Sequence, residues 1–356
     1  MEIFDLVYAS SRLRFHLVPG VDLGETLRFL DTHFWVEKPD MLSTPLATLR
    51  VTPLRRDVPE SAGESVYMRK SAGEFFTIAA KRWREIGGTE TVICDRTQTT
   101  FRFDQTERHI DVEIGSDGWF DLVELIRDLV LRDQENRGAV ILHATAAAHA
   151  GEVMLVSGSK GAGKSTILLE LVEHFGYQIL SGDKTLVTEG ERGLSVRGWP
   201  DYPHLGYATI MKYPGLSAIA GISAAAAPEG HEFSPYNKYA VDPAGFRARF
   251  PSALGNGSWV PRGILHASIG PGENTVVCLL RQSVSERVQE FDTHDESAFS
   301  GQHADWMRFI PDRRAEQSEQ RARTLAQLAE LPAWTVHGPG DLIELPFKTP
   351  GVRLGN

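Results

Sequence analysis

Cysteine is scarce: Cys94 and Cys278 are the two thiols in 356 residues. Two thiols exclude a disulfide-stapled scaffold and a cysteine-rich metal centre, and read as small buried hydrophobes of a reducing compartment. Basic excess is missing as well. The formal net charge is −10, and residues 1–137 carry −6 of it, so neither part offers the positive surface that nucleic acid requires. The same balance disfavours an anionic membrane surface. No apolar run reaches the ~18 residues of a membrane helix. The opening Met1-Glu2-Ile3-Phe4-Asp5 lacks the basic and apolar regions of a secretion signal. No H-x-x-x-H spacing among the histidines marks a zinc site, and no repeat period is visible. These absences predict a soluble, cytoplasmic protein. What remains is 42% hydrophobic and 24% charged, enough to bury a core, over a length that suits one domain and a smaller partner.

Residues 1–118 read mostly as strands and turns. "VYMRK", "TVICDR" and "TTFRFD" are short β-rich runs, and Glu107–Gly118 alternates before a turn. No catalytic constellation is visible there. Trp119–Arg132 carries apolar residues at helical spacing and predicts a covering or joining helix. From Ala139 the pattern becomes α/β: a strand at Ala139–His143, a second at Glu152–Ser157, a helix over Lys164–Phe175 with Gly176 at its C′ position, and a third strand at Tyr177–Leu180. Residues 185–188 and 194–198 fit a hairpin. The stretch Pro200–Pro261, rich in Gly, Pro and Ala, reads as helices with long loops. Val276–Leu280 predicts a strand and Ala315–Leu331 a helix stopped by Pro332. "AWTVHGPGDLIEL" reads as strand, turn, and a strand or short helix. The expected organisation is a β-rich (α+β) N-terminal domain over 1–135 and an α/β catalytic domain over 136–356.

One motif carries chemistry. Gly158-Ser159-Lys160-Gly161-Ala162-Gly163-Lys164-Ser165 fits G-x-x-x-x-G-K-[ST], the P-loop, between a predicted strand and a predicted helix. The pattern alone would arise by chance about 2 times in 100 in such a chain. Glycines permit the tight turn, and the helix N-terminus adds partial positive charge for phosphate. Lys164 would reach the β- and γ-phosphates of ATP, the Ser165 hydroxyl would hold Mg²⁺, and Thr166 would sit near the α-phosphate. Lys160, inside the loop, is equally read as an exposed lysine or a second phosphate contact. Asp183 ends the strand after the P-loop helix. In a parallel sheet that end faces the ligand crevice, where a carboxylate could accept the proton of an attacking hydroxyl or bind Mg²⁺ through water. The bland alternative is a turn aspartate capping a backbone N–H.

With His143 ending the strand before the P-loop strand, the run "VILHATAAAHAGEVMLVSGSKGAGKS" resembles the catalytic core of bacterial HPr kinase/phosphorylase and its relatives. The likeness covers residues 139–188, is weaker beyond, and does not extend to residues 1–130. It implies an α/β P-loop kinase fold like the HPr kinase C-terminal domain. It places His143 near the transferred phosphoryl group, and Asp183 as the general base. Oligomers are common in the family, hexamers among HPr kinases, so a homo-oligomer is implied too. Two departures stand out. Lys184 replaces the second of two adjacent family aspartates, and the "E-[IV]-R-G-L-G" signature is missing, the nearest text being "SVRGWPDYPHLG". A kinase-like relative with a different acceptor is expected.

Other candidates are weaker. Asp201 and His204 share a proline-framed loop where an acceptor could bind, and Tyr236, Lys238 and Asp242 lie in another. Lys238 could neutralise a phosphate or an acidic acceptor, although an exposed lysine is the default. Arg262 and Arg281 are candidate arginine fingers with nothing to choose between them. The leading expectation is therefore an ATP-dependent, Mg²⁺-assisted kinase acting on a hydroxyl of a small metabolite or a peptide. The alternative is an ATP-binding regulatory or assembly module without phosphotransfer, favoured by Lys184. A mechanical ATPase is disfavoured, because no later strand ends in paired acids.

Overall fold

A computed structural model of the chain describes residues 2–54, 63–69, 77–84, 89–104, 106–190, 193–222, 238–270, 275–278 and 309–342. The fold is mixed α/β, with several sheets and few helices. It divides into two compact units: residues 1–137 with 292–317, and residues 138–291 with 318–356. The first break lies two residues beyond the boundary expected from sequence, and nothing in the sequence signals the grouping of 292–317 with the first unit.

The first unit holds one nine-stranded sheet. Its strands are β1 (Glu2–Tyr8), β2 (Ser11–Leu17), β3 (Trp35–Glu37), β4 (Ala47–Pro53), β5 (Glu64–Arg69), β6 (Ile78–Arg84), β7 (Glu90–Cys94), β8 (Thr100–Asp104) and β9 (His109–Ile114). Their order is β3-β1-β2-β4-β9-β8-β7-β6-β5. Period-two alternation sets the faces: Leu13, Phe15 and Leu17 of β2, Leu49 and Val51 of β4, and Ile110 and Val112 of β9 are buried. Helix α1 (Gly24–Leu30) packs on α2 (Trp119–Asn136), which lies against β2 and β5. α2 is longer than expected, and its charged residues are buried with its apolar ones. The charges are paired: Arg127 contacts Glu124 at 2.5 Å, and Ser11 donates to Asp133 at 2.6 Å. In the sheet itself, Asp5 is fully buried and receives Arg14 at 2.8 and 3.0 Å and Arg12 at 2.8 Å.

The second unit is layered. Its central sheet joins β11 (Thr145–His149), β12 (Glu152–Ser157), β13 (Gln178–Ser181), β18 (Val260–Ile269), β19 (Thr275–Cys278) and β20 (Ala333–Gly338), in the order β13-β11-β12-β18-β20-β19. A smaller sheet runs β10 (Val140–His143), β14 (Lys184–Gly190) and β15 (Gly193–Gly198). One face of the central sheet is covered by α3 (Lys164–Phe175) with α4 (Tyr207–Lys212), α5 (Leu216–Ile219) and α6 (Pro243–Arg249). The other face packs Val153, Leu155 and Ile264 against Leu142, Val187 and Val196 of the smaller sheet and Leu328 of α7 (Ser318–Ala329). A short ladder, β16 (His204–Gly206) with β17 (Lys238–Ala240), completes the unit.

β12 is parallel to β18, and β18 to β20. β13 shares their direction, because β11 is antiparallel to both β12 and β13. The C-terminal ends Ser157, Ile269, Gly338 and Ser181 therefore lie along one edge of the sheet, and the glycine-rich segment leaves from that edge. Sequence reading missed β11, and it missed β18 with its interior Pro261 and Gly263. Pro261 sits near the strand start beside a register shift, where a missing N–H is tolerated. At Gly263 a Cβ would stand 2.8 Å from the Pro332 carbonyl and from Trp334, so β20 can approach. The four-alanine tract 224–227, the end of the strand expected at 276–280, and the segment after residue 342 lie outside the described residues. Among the described residues, no helix is long and apolar enough to cross a membrane.

Candidate functional site

The loop between β12 and α3 turns on glycine. Gly163 has φ +97°, and a Cβ there would overlap the Ile269 side chain, so only glycine fits. Ile269 N–H donates to the Ala162 carbonyl at 2.9 Å, tying the loop to the end of β18. Helix α3 then begins at Lys164, as expected, and ends at Phe175 with Gly176 in the left-handed region. Ser159 and Lys160 are exposed, Ser165 is partly exposed, and Gly158 and Lys164 are buried. The Lys164 ammonium folds back and donates to the carbonyls of Gly158 at 2.9 Å and Ser159 at 3.3 Å. Burial lowers its pKa from the ordinary lysine value to about 8; Lys238 pushes the same way, and Asp183 opposes both.

Asp183 and His143 meet at this edge. His143 closes β10 and pairs in register with Lys184, the first residue of β14, so their side chains leave the same face. Asp183 immediately precedes β14, and its Oδ1 lies 3.3 Å from His143 Nε2. Burial alone would raise the Asp183 carboxyl. The hydrogen bond and charge of His143, with the charges of His204 and Lys238, outweigh it and hold the group well below the usual carboxylate range. Three predicted residues from separate elements, His143, Lys164 and Asp183, thus share one electrostatic neighbourhood.

The β16–β17 ladder brings in two of the weaker candidates. His204 pairs with Ala240 and Lys238 with Gly206. His204 Nδ1 lies 2.8 Å from the Tyr202 carbonyl. Burial lowers the Lys238 pKa, and its charge interacts with Asp183, Lys160 and Asp201. Other candidates fall elsewhere. Arg262 pairs with Glu152 at 2.5 Å, at the start of β12, about 17 Å along the strand from the loop, so it does not serve this chain's own loop as an arginine finger. Asp242 caps α6, accepting from Gly245 N–H at 2.6 Å. Tyr236 and Arg281 lie outside the described residues.

Thr166 is buried, and its hydroxyl lies 2.8 Å from that of Thr209 on α4. One turn on, the buried Glu170 accepts from Tyr213 OH at 2.8 Å and Leu342 N–H at 3.2 Å and forms an ion pair with the Lys212 ammonium at 3.0 Å. Ser157 Oγ lies 3.2 Å from His266 Nδ1, on the neighbouring parallel strand. Sequence reasoning named Thr166, as a neighbour of the α-phosphate, but found none of these pairings, because each joins residues more than forty positions apart with no motif between them. Asp201 is different: the sequence placed it in an acceptor loop, whereas its Oδ2 accepts the backbone N–H groups of both Asp183 and Lys184, each at 3.2 Å.

The chemistry available is a glycine-built loop with the Lys164 ammonium behind it and the Asp183 carboxylate, paired with His143, in the same electrostatic neighbourhood. Among the described residues, no three His, Cys, Asp or Glu side chains converge as a resident metal centre. Compared with known proteins, the chain matches no family model and no curated protein.

Proposed function

We propose that the chain is an ATP-dependent phosphotransferase acting on a hydroxyl acceptor. The observation that carries the reading is the His143–Asp183 pair, 3.3 Å apart, electrostatically linked to Lys164 at the head of α3. The helix start and the loop receive the phosphates. On binding, the Lys164 ammonium exchanges the two loop carbonyls for β- and γ-phosphate oxygens. Lys160, exposed, and Lys238, partly buried, add positive charge. Mg²⁺ fits the donor set: one hydroxyl, Ser165, and one carboxylate, Asp183, leave the remaining positions to phosphate and water oxygens, as this ion prefers. When bound, it would neutralise charge on the phosphates.

Asp183 accepts the hydrogen bond of the acceptor hydroxyl and aims its oxygen at the γ-phosphorus. As the new O–P bond forms, the bond between the γ-phosphorus and the β–γ bridging oxygen breaks, and ADP leaves with its electrons. The hydroxyl proton passes to Asp183. A very acidic carboxyl is a poor base, but the negative charge of a bound triphosphate raises its pKa. A loose transition state also demands little basicity before bond formation. His143 steadies the carboxylate and lies near the transferred group.

The test is transfer of radiolabelled γ-phosphate from ATP to a panel of hydroxyl metabolites and peptides. Asp183→Asn should leave ATP affinity within a few-fold and lower transfer at least 100-fold. Unchanged transfer by that variant removes the proposed base. The second reading, nucleotide binding without transfer, draws on Lys184, a cation opposite His143 where a second acid is expected. It predicts tight ATP binding with no turnover on any acceptor.

A further inference from the structure

The site lacks an acid at position 184, yet a second carboxylate reaches the same turn from elsewhere in the chain. After β15 the chain passes through Trp199, which is 1% exposed and whose N–H donates to Ser181 Oγ at 3.4 Å. Ser181 in turn donates to the Lys184 carbonyl. Two residues after this anchored tryptophan stands Asp201. A single oxygen, Oδ2, accepts the consecutive N–H groups of Asp183 and Lys184. Asp201 packs over Gly182, its Cβ at ordinary contact distance, 3.8 Å, from where a Cβ of residue 182 would stand. The turn carrying Asp183 is thus clamped from both sides, by Ser181 on its carbonyl and by Asp201 on its amides.

We infer that Asp201 is a positioning residue of the phosphotransfer site, holding the 183–184 turn so that the Asp183 carboxylate faces His143 and the incoming acceptor. This rests on the phosphotransferase reading above. The amides of Asp183 and Lys184 call for an acceptor oxygen at position 201. Two amides converging on one oxygen fix the backbone, and a shift of the reacting carboxylate by about 1 Å can lower turnover about 100-fold. Lys184 then needs no metal-binding role: its backbone is part of the clamp, and its side chain leaves with His143.

The experiment compares the full chain with Asp201→Asn and Asp201→Ala. Two quantities are read: hydrogen exchange of the amides of residues 183 and 184, and steady-state turnover of ATP with Mg²⁺, water serving as acceptor. Asp201→Ala should speed exchange of both amides at least 10-fold and lower kcat about 10- to 100-fold, with KM for ATP within twofold of the parent. Asp201→Asn keeps an oxygen at the same place and should restore most of both. Unchanged exchange and kcat in the alanine variant overturn the inference. So does an asparagine variant as impaired as alanine, which would assign a role to charge, or a loss confined to KM. A parent chain that binds ATP and never turns it over, with water or with any hydroxyl acceptor of the panel above, removes the phosphotransferase reading and the positioning role together. The exchange rates then report separately whether Asp201 clamps the turn.

Discussion

Binding of a nucleotide should draw a proton onto the protein, and the size of that uptake follows from Lys164. In the unliganded loop Lys164 is 8% exposed, its ammonium rests on two carbonyls, and burial lowers its pKa to about 8. A triphosphate places several negative charges against the same nitrogen, which raises the pKa and leaves the group charged. Uptake therefore equals the uncharged fraction before binding, about 0.1 proton at pH 7, 0.5 at pH 8 and 0.9 at pH 9 for a pKa of about 8. The sign for affinity follows. Above pH 8 the free protein must first acquire the proton, so the Kd for the magnesium nucleotide rises with pH, by at most about 10-fold per unit. Isothermal titration calorimetry of Mg-ADP, in buffer pairs of different ionisation enthalpy, measures the uptake at each pH. The titrating groups of the nucleotide are ionised throughout this range. Lys238→Met separates any share from Lys238, whose pKa burial also lowers. Uptake that stays near zero from pH 7 to 9, or a curve unchanged in Lys164→Met, refutes the claim that this ammonium meets the phosphates.

Two further outcomes test the fold around the site and away from it. Gly163→Ala places a methyl group inside Ile269 at a positive φ, so urea unfolding should show a loss of about 2 kcal/mol or more, and a fluorescent-nucleotide titration should show lost binding; parental stability would mean the loop does not hold this conformation. In the first unit, burial would raise the Asp5 carboxyl, but hydrogen bonds from Arg14 and Arg12 win and lower its pKa. Its contribution is therefore full at neutral pH and fades as the pH falls below about 4 toward the lowered value. Asp5→Asn should cost about 3 kcal/mol in urea unfolding at pH 7, by leaving two guanidinium groups underpaired, with the deficit shrinking at pH 3. An equal deficit at both pH values would contradict the assignment.

Local patterns reached far in this chain. β12 and α3 fall at the residues expected, because an apolar run, a glycine turn and a 3.6-residue period are all set by neighbours within a few positions. β9, α2 and the hairpin of β14 and β15 are also found where expected, with ends that differ by a few residues. Where neither an apolar run nor an alternation marked a strand, the signal vanished. β18 contains Pro261 and Gly263 and has no period, yet it sits between β12 and β20 because Gly263 lets β20 approach. Arg262 looked as available as any other cation, and only strand direction sends it to the far end of the sheet.

The sequence by itself determined the glycine bend at residues 158–165 and the helix start behind it, because a bend followed by a lysine needs only eight consecutive residues. It also singled out His143 and Asp183, forty positions apart. Tertiary structure decided that these two face each other at 3.3 Å, and that Arg262 stands apart. It also turned Asp201 from a loop residue into the clamp of the 183–184 turn. The reason is physical: backbone conformation follows from adjacent side chains, whereas the partner of a carboxylate depends on which strands lie side by side, and that is settled by burial across the whole unit.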